Sequence, residues 1–88
     1  MKVSFKATFA EDLKGLKEKP LLARVNKLID AVEHSDDLRD LPNVKKLQGS
    51  AGYYRIRLGD YRVGIVSERD EVIFVRILHR KEIYRYFP

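Results

Sequence analysis

The stretch Tyr53–Arg62 constrains this chain more than any other, because Gly59-Asp60 divides two runs of alternating residues. Glycine followed by aspartate between such runs reads as a two-residue hairpin turn. That turn sets Leu58 against Tyr61, Arg57 against Arg62 and Ile56 against Val63. Residues directly opposite in an antiparallel pair project from the same face. One face therefore carries Tyr53, Arg55, Arg57 and Arg62, and the other carries Ile56, Leu58, Tyr61, Val63 and Ile65. Like charges set opposite each other destabilise a sheet. A small fold that gathers three arginines in this way calls for an anion to neutralise them, and the simplest is a phosphate.

The rest of the composition agrees. The chain has 88 residues, 44% of them hydrophobic, which suits a single domain over residues 1–88 with one small core. It has no cysteine, which excludes disulfides, thiolate zinc sites and a cysteine nucleophile and fits a reducing cytoplasm. No apolar run approaches the roughly 20 residues that span a bilayer, and Met1–Lys6 lacks the apolar centre of a signal peptide. The expected location is the cytoplasm, with no membrane partner. Residues 1–44 hold eight basic and eight acidic side chains, whereas residues 45–88 hold ten and five, so the whole net charge of +5 lies with the arginine face. Such a patch attracts polyanions.

Upstream, Val3, Phe5 and Ala7 alternate with Lys2, Ser4 and Lys6, the pattern of a short half-buried strand. Thr8 and Glu11 have the spacing of a capping box, followed by a helix from about Phe9 to Lys17 with Phe9, Leu13 and Leu16 on one stripe. Pro20 opens a second helix with Leu21, Leu22, Val25, Leu28, Ile29 and Val32 at helical spacing, stopped by His34-Ser35-Asp36-Asp37. His34 reads as a surface residue. Leu38–Gly52, with Pro42, Gly49 and Gly52, reads mostly as loop. Strands follow at about Tyr53–Leu58, Tyr61–Ser67 and Val72–His79, and Lys81–Phe87 closes the chain as a short helix with Ile83 and Phe87 inward. The expected fold is α+β. An N-terminal strand and two helices precede a three-stranded antiparallel meander that completes a four-stranded sheet, with the helices on one face. An even-numbered turn over Glu68–Glu71 puts Arg76 on the helix-packing face; an odd one puts Ile73, Val75 and Ile77 there and moves Arg76, and with it Arg80, to the arginine side. Burying an unpaired arginine is costly, so the odd turn is expected.

Arginine presents forked, permanently charged donors to phosphate oxygens. When an RNA 2′-hydroxyl attacks its neighbouring phosphodiester, charge builds on the phosphorane oxygens, and fixed donors aimed there stabilise the transition state. No cluster of Asp, Glu and His at metal-ligand spacing, Gly-rich phosphate loop or Ser/His/Asp set is evident, so neither metal nor cofactor is expected. Proton transfer falls to His79, which titrates near neutrality by nature, or to Tyr84, whose phenolate nearby arginines favour. Each has a structural alternative: His79 can cap or pack a strand end, and Tyr84 can stack on a base or pack in the last turn. Lys45, Lys46, Tyr53, Arg76 and Lys81 are the further RNA-binding candidates.

Three motifs carry a resemblance over nearly the whole chain: Lys46-Leu47-Gln48-Gly49, Tyr54-Arg55-Ile56-Arg57-Leu58-Gly59-Asp60-Tyr61-Arg62 and His79-Arg80-Lys81-Glu82-Ile83-Tyr84. Together with the element order they resemble the RelE/ParE superfamily of toxins from toxin–antitoxin modules, and more closely its RelE-type mRNA endoribonucleases (mRNA interferases). The resemblance implies that Arg62 holds the scissile phosphate, that Arg80 stabilises or protonates the leaving oxygen, and that Tyr84 orients or deprotonates the 2′-hydroxyl. Arg55 and Arg57 would neutralise the transition state. It further implies cleavage of mRNA in the ribosomal A site, inhibition of translation, and a cognate antitoxin as partner. Arg55 and Arg57 stand where members usually have lysines. Arginine stays protonated, so any base role passes to Tyr84 or His79. Gln48 stands where some members have another basic residue. The alternatives are a ParE-type inhibitor of DNA gyrase, or an inactive relative that only binds nucleic acid or antitoxin.

Overall fold

The computed structural model describes residues 1–49 and 51–88. Its elements are β1 (Lys2–Phe5), α1 (Ala7–Lys14), α2 (Lys19–His34), a 3-10 turn (Leu38–Asp40), β2 (Val44–Lys46), β3 (Tyr53–Leu58), β4 (Tyr61–Glu68), β5 (Glu71–His79) and α3 (Ile83–Tyr86). The sheet has five strands in the order β1-β5-β4-β3-β2, with β1 parallel to β5 and the other pairs antiparallel. The additional strand is β2, inside the segment expected as loop; Ser50 of that segment lies outside the described residues. Three residues flanked by Pro42 and Gly49 are too few to show alternation, and it is pairing with β3 that makes them a strand.

The β3–β4 hairpin has the expected register: Leu58 faces Tyr61, Arg57 faces Arg62 and Ile56 faces Val63. Gly59 takes the first turn position with φ +62, a conformation side chains resist. The helix-side face of the sheet buries Ile56, Val63, Ile65, Val72, Phe74 and Ile77 against Phe9, Val25 and Val32 of the helices, with Leu38 of the 3-10 turn. No polar or charged side chain is buried among the described residues, so the core is held by hydrocarbon contact, at about 1.5–3 kcal/mol per buried large side chain.

α2 spans almost the predicted residues, with Pro20 in its first turn. α1 starts at Ala7, earlier than expected, and the capping box does not form. Lys6 is the N-cap and makes no side-chain bond. The Thr8 hydroxyl instead donates to the Val75 carbonyl, 2.6 Å away. β1 is too short to cover β5, and α1 takes over that edge: the Lys6 N–H donates to the Phe74 carbonyl, and Asp12 accepts from the Ile77 N–H at 3.0 Å. Tertiary demand for edge partners outweighed a local cap of about 1 kcal/mol.

The β4–β5 turn is even, with Glu68 paired to Glu71, so the odd turn expected from the sequence is corrected. The phase is reversed instead by a β-bulge: Gly64 pairs with Arg76 and Ile65 with Phe74, leaving Val75 without a partner. Val72, Phe74 and Ile77 therefore face the core, Ile73 and Val75 do not enter it, and Arg76 still reaches the arginine side. Ile83 and Phe87 are buried as expected, but away from the main core, on the opposite face of the sheet. α1 and α2 share one face, as expected, and the short C-terminal α3 lies across the arginine side.

Candidate nucleic-acid interface

Two rows of cross-strand neighbours build the cationic face. Lys45, Arg55, Gly64 and Arg76 form one row across β2, β3, β4 and β5; Arg57 and Arg62 belong to the next. Lys45 opposite Arg55 and Arg57 opposite Arg62 are two directly facing like-charge pairs, each unfavourable to a sheet. Together with Asn43, Val44 and Tyr84 these four cations line an open cavity of about 360 Å³.

None of the lining residues is acidic. Arg57 Nη2 donates to the Asn43 side-chain oxygen at 2.9 Å. Arg62 Nη1 donates to the carbonyls of Gly59 and Tyr61 at 2.8 and 2.9 Å. The Arg55 guanidinium lies 4.4 Å from the centre of the Tyr84 ring, a cation–π contact. Each guanidinium is oriented by a neutral partner, which fixes its geometry without cancelling its charge. Tyr84 is 66% exposed, so its ring and hydroxyl face solvent at the cavity wall.

Arg76, in the same row as Arg55, has a different partner. Its Nε and Nη2 reach the two carboxylate oxygens of Asp12 at 2.8 and 3.0 Å, and its guanidinium lies 5.3 Å from the Tyr86 ring centre. The hydrogen bond to Asp12 holds the guanidinium above its usual arginine range. Its charge is satisfied within the fold.

Of the residues singled out in the sequence, Arg55, Arg57, Arg62, Tyr84 and Lys45 come together. Arg80 is exposed at the end of β5, its N–H bonded to the Asp60 carbonyl, and does not line the cavity. His79 pairs with Tyr61 on the helix-side face, with the two rings edge to face at 5.6 Å. Its Nδ1 accepts from the Lys81 N–H at 3.2 Å, the capping role open to it in the sequence. Lys46 pairs with Tyr54 and turns to the helix side. Tyr53 shares the cationic face but packs on Phe87, 5.7 Å between ring centres. Lys81 is exposed and outside the cavity. Sequence reasoning missed Asn43, which binds Arg57 twice, by side chain and by its carbonyl to the Arg57 N–H at 3.0 Å. Its φ of +66 matches the Pro-Asn signature of a turn, the signal that was available.

The family model described as "ParE toxin of type II toxin-antitoxin system, parDE" matches residues 3–84. Toxin RelE3 of Methanocaldococcus jannaschii is 46% identical over an alignment of 89 positions that covers 100% of both chains. The chain belongs to the RelE/ParE toxin family and is of the RelE type. In the RelB–RelE antitoxin–toxin complex of Methanococcus jannaschii, a similar chain superposes with a TM-score of 0.82 and 42% identity, covering 96% of this toxin and 98% of that chain. The RelE–RelB complex of Pyrococcus horikoshii gives 0.75 and 26%, covering 90% and 93%. The family match runs through the meander and on to Tyr84, so membership and the cationic cavity lie on the same elements.

Proposed function

We propose that the toxin is an endoribonuclease that cuts mRNA in the ribosomal A site, without a metal ion, and so arrests translation in the cytoplasm. One observation carries this reading: three guanidiniums converge on one cavity, each held by a neutral partner, with their charge left for an incoming phosphodiester. Arg62, preset by two carbonyls, holds the scissile phosphate. Arg55 and Arg57 face the oxygens on which negative charge grows, where fixed donors lower the barrier. Tyr84 orients the 2′-hydroxyl and, in its phenolate form, accepts its proton as the 2′-oxygen bonds to phosphorus. The bond to the 5′-oxygen breaks, that oxygen takes a proton from water in the open cavity, and a 2′,3′-cyclic phosphate and a 5′-hydroxyl remain. Lys45 steers the backbone from the β2 edge. Arg80, outside the cavity, joins only if bound RNA extends past the hairpin. His79 belongs to the other face and carries no step.

The complexes of the two structural relatives support a cognate antitoxin as this toxin's partner. An acidic or amphipathic antitoxin segment fits a cavity wall that has four cations and no carboxylate.

The test is expression of the wild-type protein alone, with primer extension on a reporter mRNA. The expected result is growth arrest with new cuts inside translated codons, both lost in Arg62→Ala. Arrest without cuts sinks the nuclease reading. The description of the matching family model favours a second reading, a ParE-type gyrase inhibitor. It leaves Arg55, Arg57 and Arg62 without a task, and inhibition of supercoiling by the purified protein would establish it.

A further inference from the structure

Gly64 lies in the middle of β4, where a glycine weakens a strand by about 0.5–1 kcal/mol and often marks a close approach by another group. Here the approaching group is the Phe87 ring. A Cβ built on Gly64 would stand 2.6 Å from two carbons of that ring, closer than real Cβ contacts come. Phe87 is 3% exposed and lies over the gap between Arg55 and Arg76 in the cross-strand row. Its N–H is bonded to the Ile83 carbonyl at 2.9 Å, so Phe87 and α3 form one hydrogen-bonded piece. Ile83, at the other end of that piece, is fully buried. Tyr86 lies against Arg76, itself clamped by Asp12.

We infer that Gly64 and Phe87 are positioning residues that set Tyr84 over the cationic cavity. α3 has only four residues and no side-chain cap, so it cannot hold its own place. Contacts outside the helix mount it: Ile83 is buried, Tyr86 lies on Arg76, and Phe87 sits on the bare backbone of Gly64 and against the Tyr53 ring. Any side chain at position 64 lifts Phe87, levers the helix and moves Tyr84 off Arg55. This inference rests on the reading of Tyr84 as a group that meets the 2′-hydroxyl. A misplacement of about 1 Å in such a group costs about 10²-fold in rate.

The variants are Gly64→Ala, Phe87→Leu, and the two combined. The readouts are hydrogen exchange at the Arg85 and Phe87 amides and mRNA cleavage on ribosomes, with kcat and KM separated. Gly64→Ala is expected to speed exchange at both amides and lower kcat by about 10²-fold, with KM within about 2-fold because the cavity cations stay in place. Phe87→Leu, which replaces the ring with a smaller side chain, is expected to restore much of both when combined with Gly64→Ala. Unchanged exchange and kcat in Gly64→Ala overturn the inference; so does faster exchange with full kcat. If Gly64→Ala does not fold, Phe87→Ala removes the same mount from outside the sheet, and full kcat in that variant overturns the inference. A wild-type protein that cuts no RNA refutes the nuclease reading instead, while exchange in the variants still decides whether position 64 mounts the helix.

Discussion

The two ends of the cationic face treat the same side chain in opposite ways. At the β5 end, Arg76 meets the carboxylate of Asp12, which also caps the free Ile77 N–H. At the β2–β3–β4 end, Arg55, Arg57 and Arg62 meet a ring, an amide and two carbonyls. The first arrangement cancels charge and closes the sheet edge; the second preserves charge and aims it. The contrast separates an arginine whose charge is countered within the fold from three whose charge is left for the anion proposed above.

Exchanging the roles of the two ends would break the contrast, and the largest effect is expected at Arg62. Arg62→Ala should lower mRNA cleavage by about 10²–10³-fold, as loss of one fixed oxyanion donor does. The melting temperature should stay near wild type, since among the described residues Arg62 bonds to carbonyls of its own hairpin. Loss of folding in parallel with cleavage would place Arg62 with Arg76. Tyr84→Phe keeps the ring over Arg55 and removes the hydroxyl, so a fall in kcat of about 10²-fold with unchanged RNA affinity is expected in single-turnover kinetics. Asp12→Ala should act in the opposite sense, destabilising by about 1–3 kcal/mol in urea unfolding, because it strands a partly buried guanidinium and an edge N–H. Lys45→Ala sharpens the picture at smaller scale. RNA binding should weaken without regard to sequence, and the slope of log affinity against log salt should fall by about one.

The smallest expected effect lies away from both ends. The Arg39 side chain and backbone N–H hold the half-exposed Asp37 carboxyl down to about 2. A carboxyl lowered on folding contributes stability above its unfolded value near 3.8, and that contribution is lost as pH falls toward 2. Asp37→Asn should slightly flatten the acid limb of the stability curve between those values and leave cleavage at neutral pH unchanged.

Local signals carried much of this architecture. Gly59-Asp60 fixed the hairpin, its register and the placement of Arg55, Arg57 and Arg62 on one face, because two-residue turns admit few geometries. Pro20 and the spacing of Leu21, Val25 and Val32 gave α2 nearly to the residue. The misreadings share a physical cause. β2, the Thr8 hydroxyl bonded to Val75, and the bulge at Val75 all depend on which strand edge needs a partner, and no local pattern encodes that. In the cavity, Arg62 and Tyr84 were legible from their motifs. Asn43 was not, because its task is set by a neighbour fourteen positions away.

By itself the sequence determined the helix stripes, the hairpin and the sign of one sheet face, since each follows from alternation or periodicity over a few residues. Only the tertiary structure decided which arginine meets a carboxylate, which meet neutral partners, and which residue mounts Tyr84. Those outcomes turn on contacts between distant segments, Asp12 with Arg76 and Phe87 with Gly64, that exist only once the chain has closed.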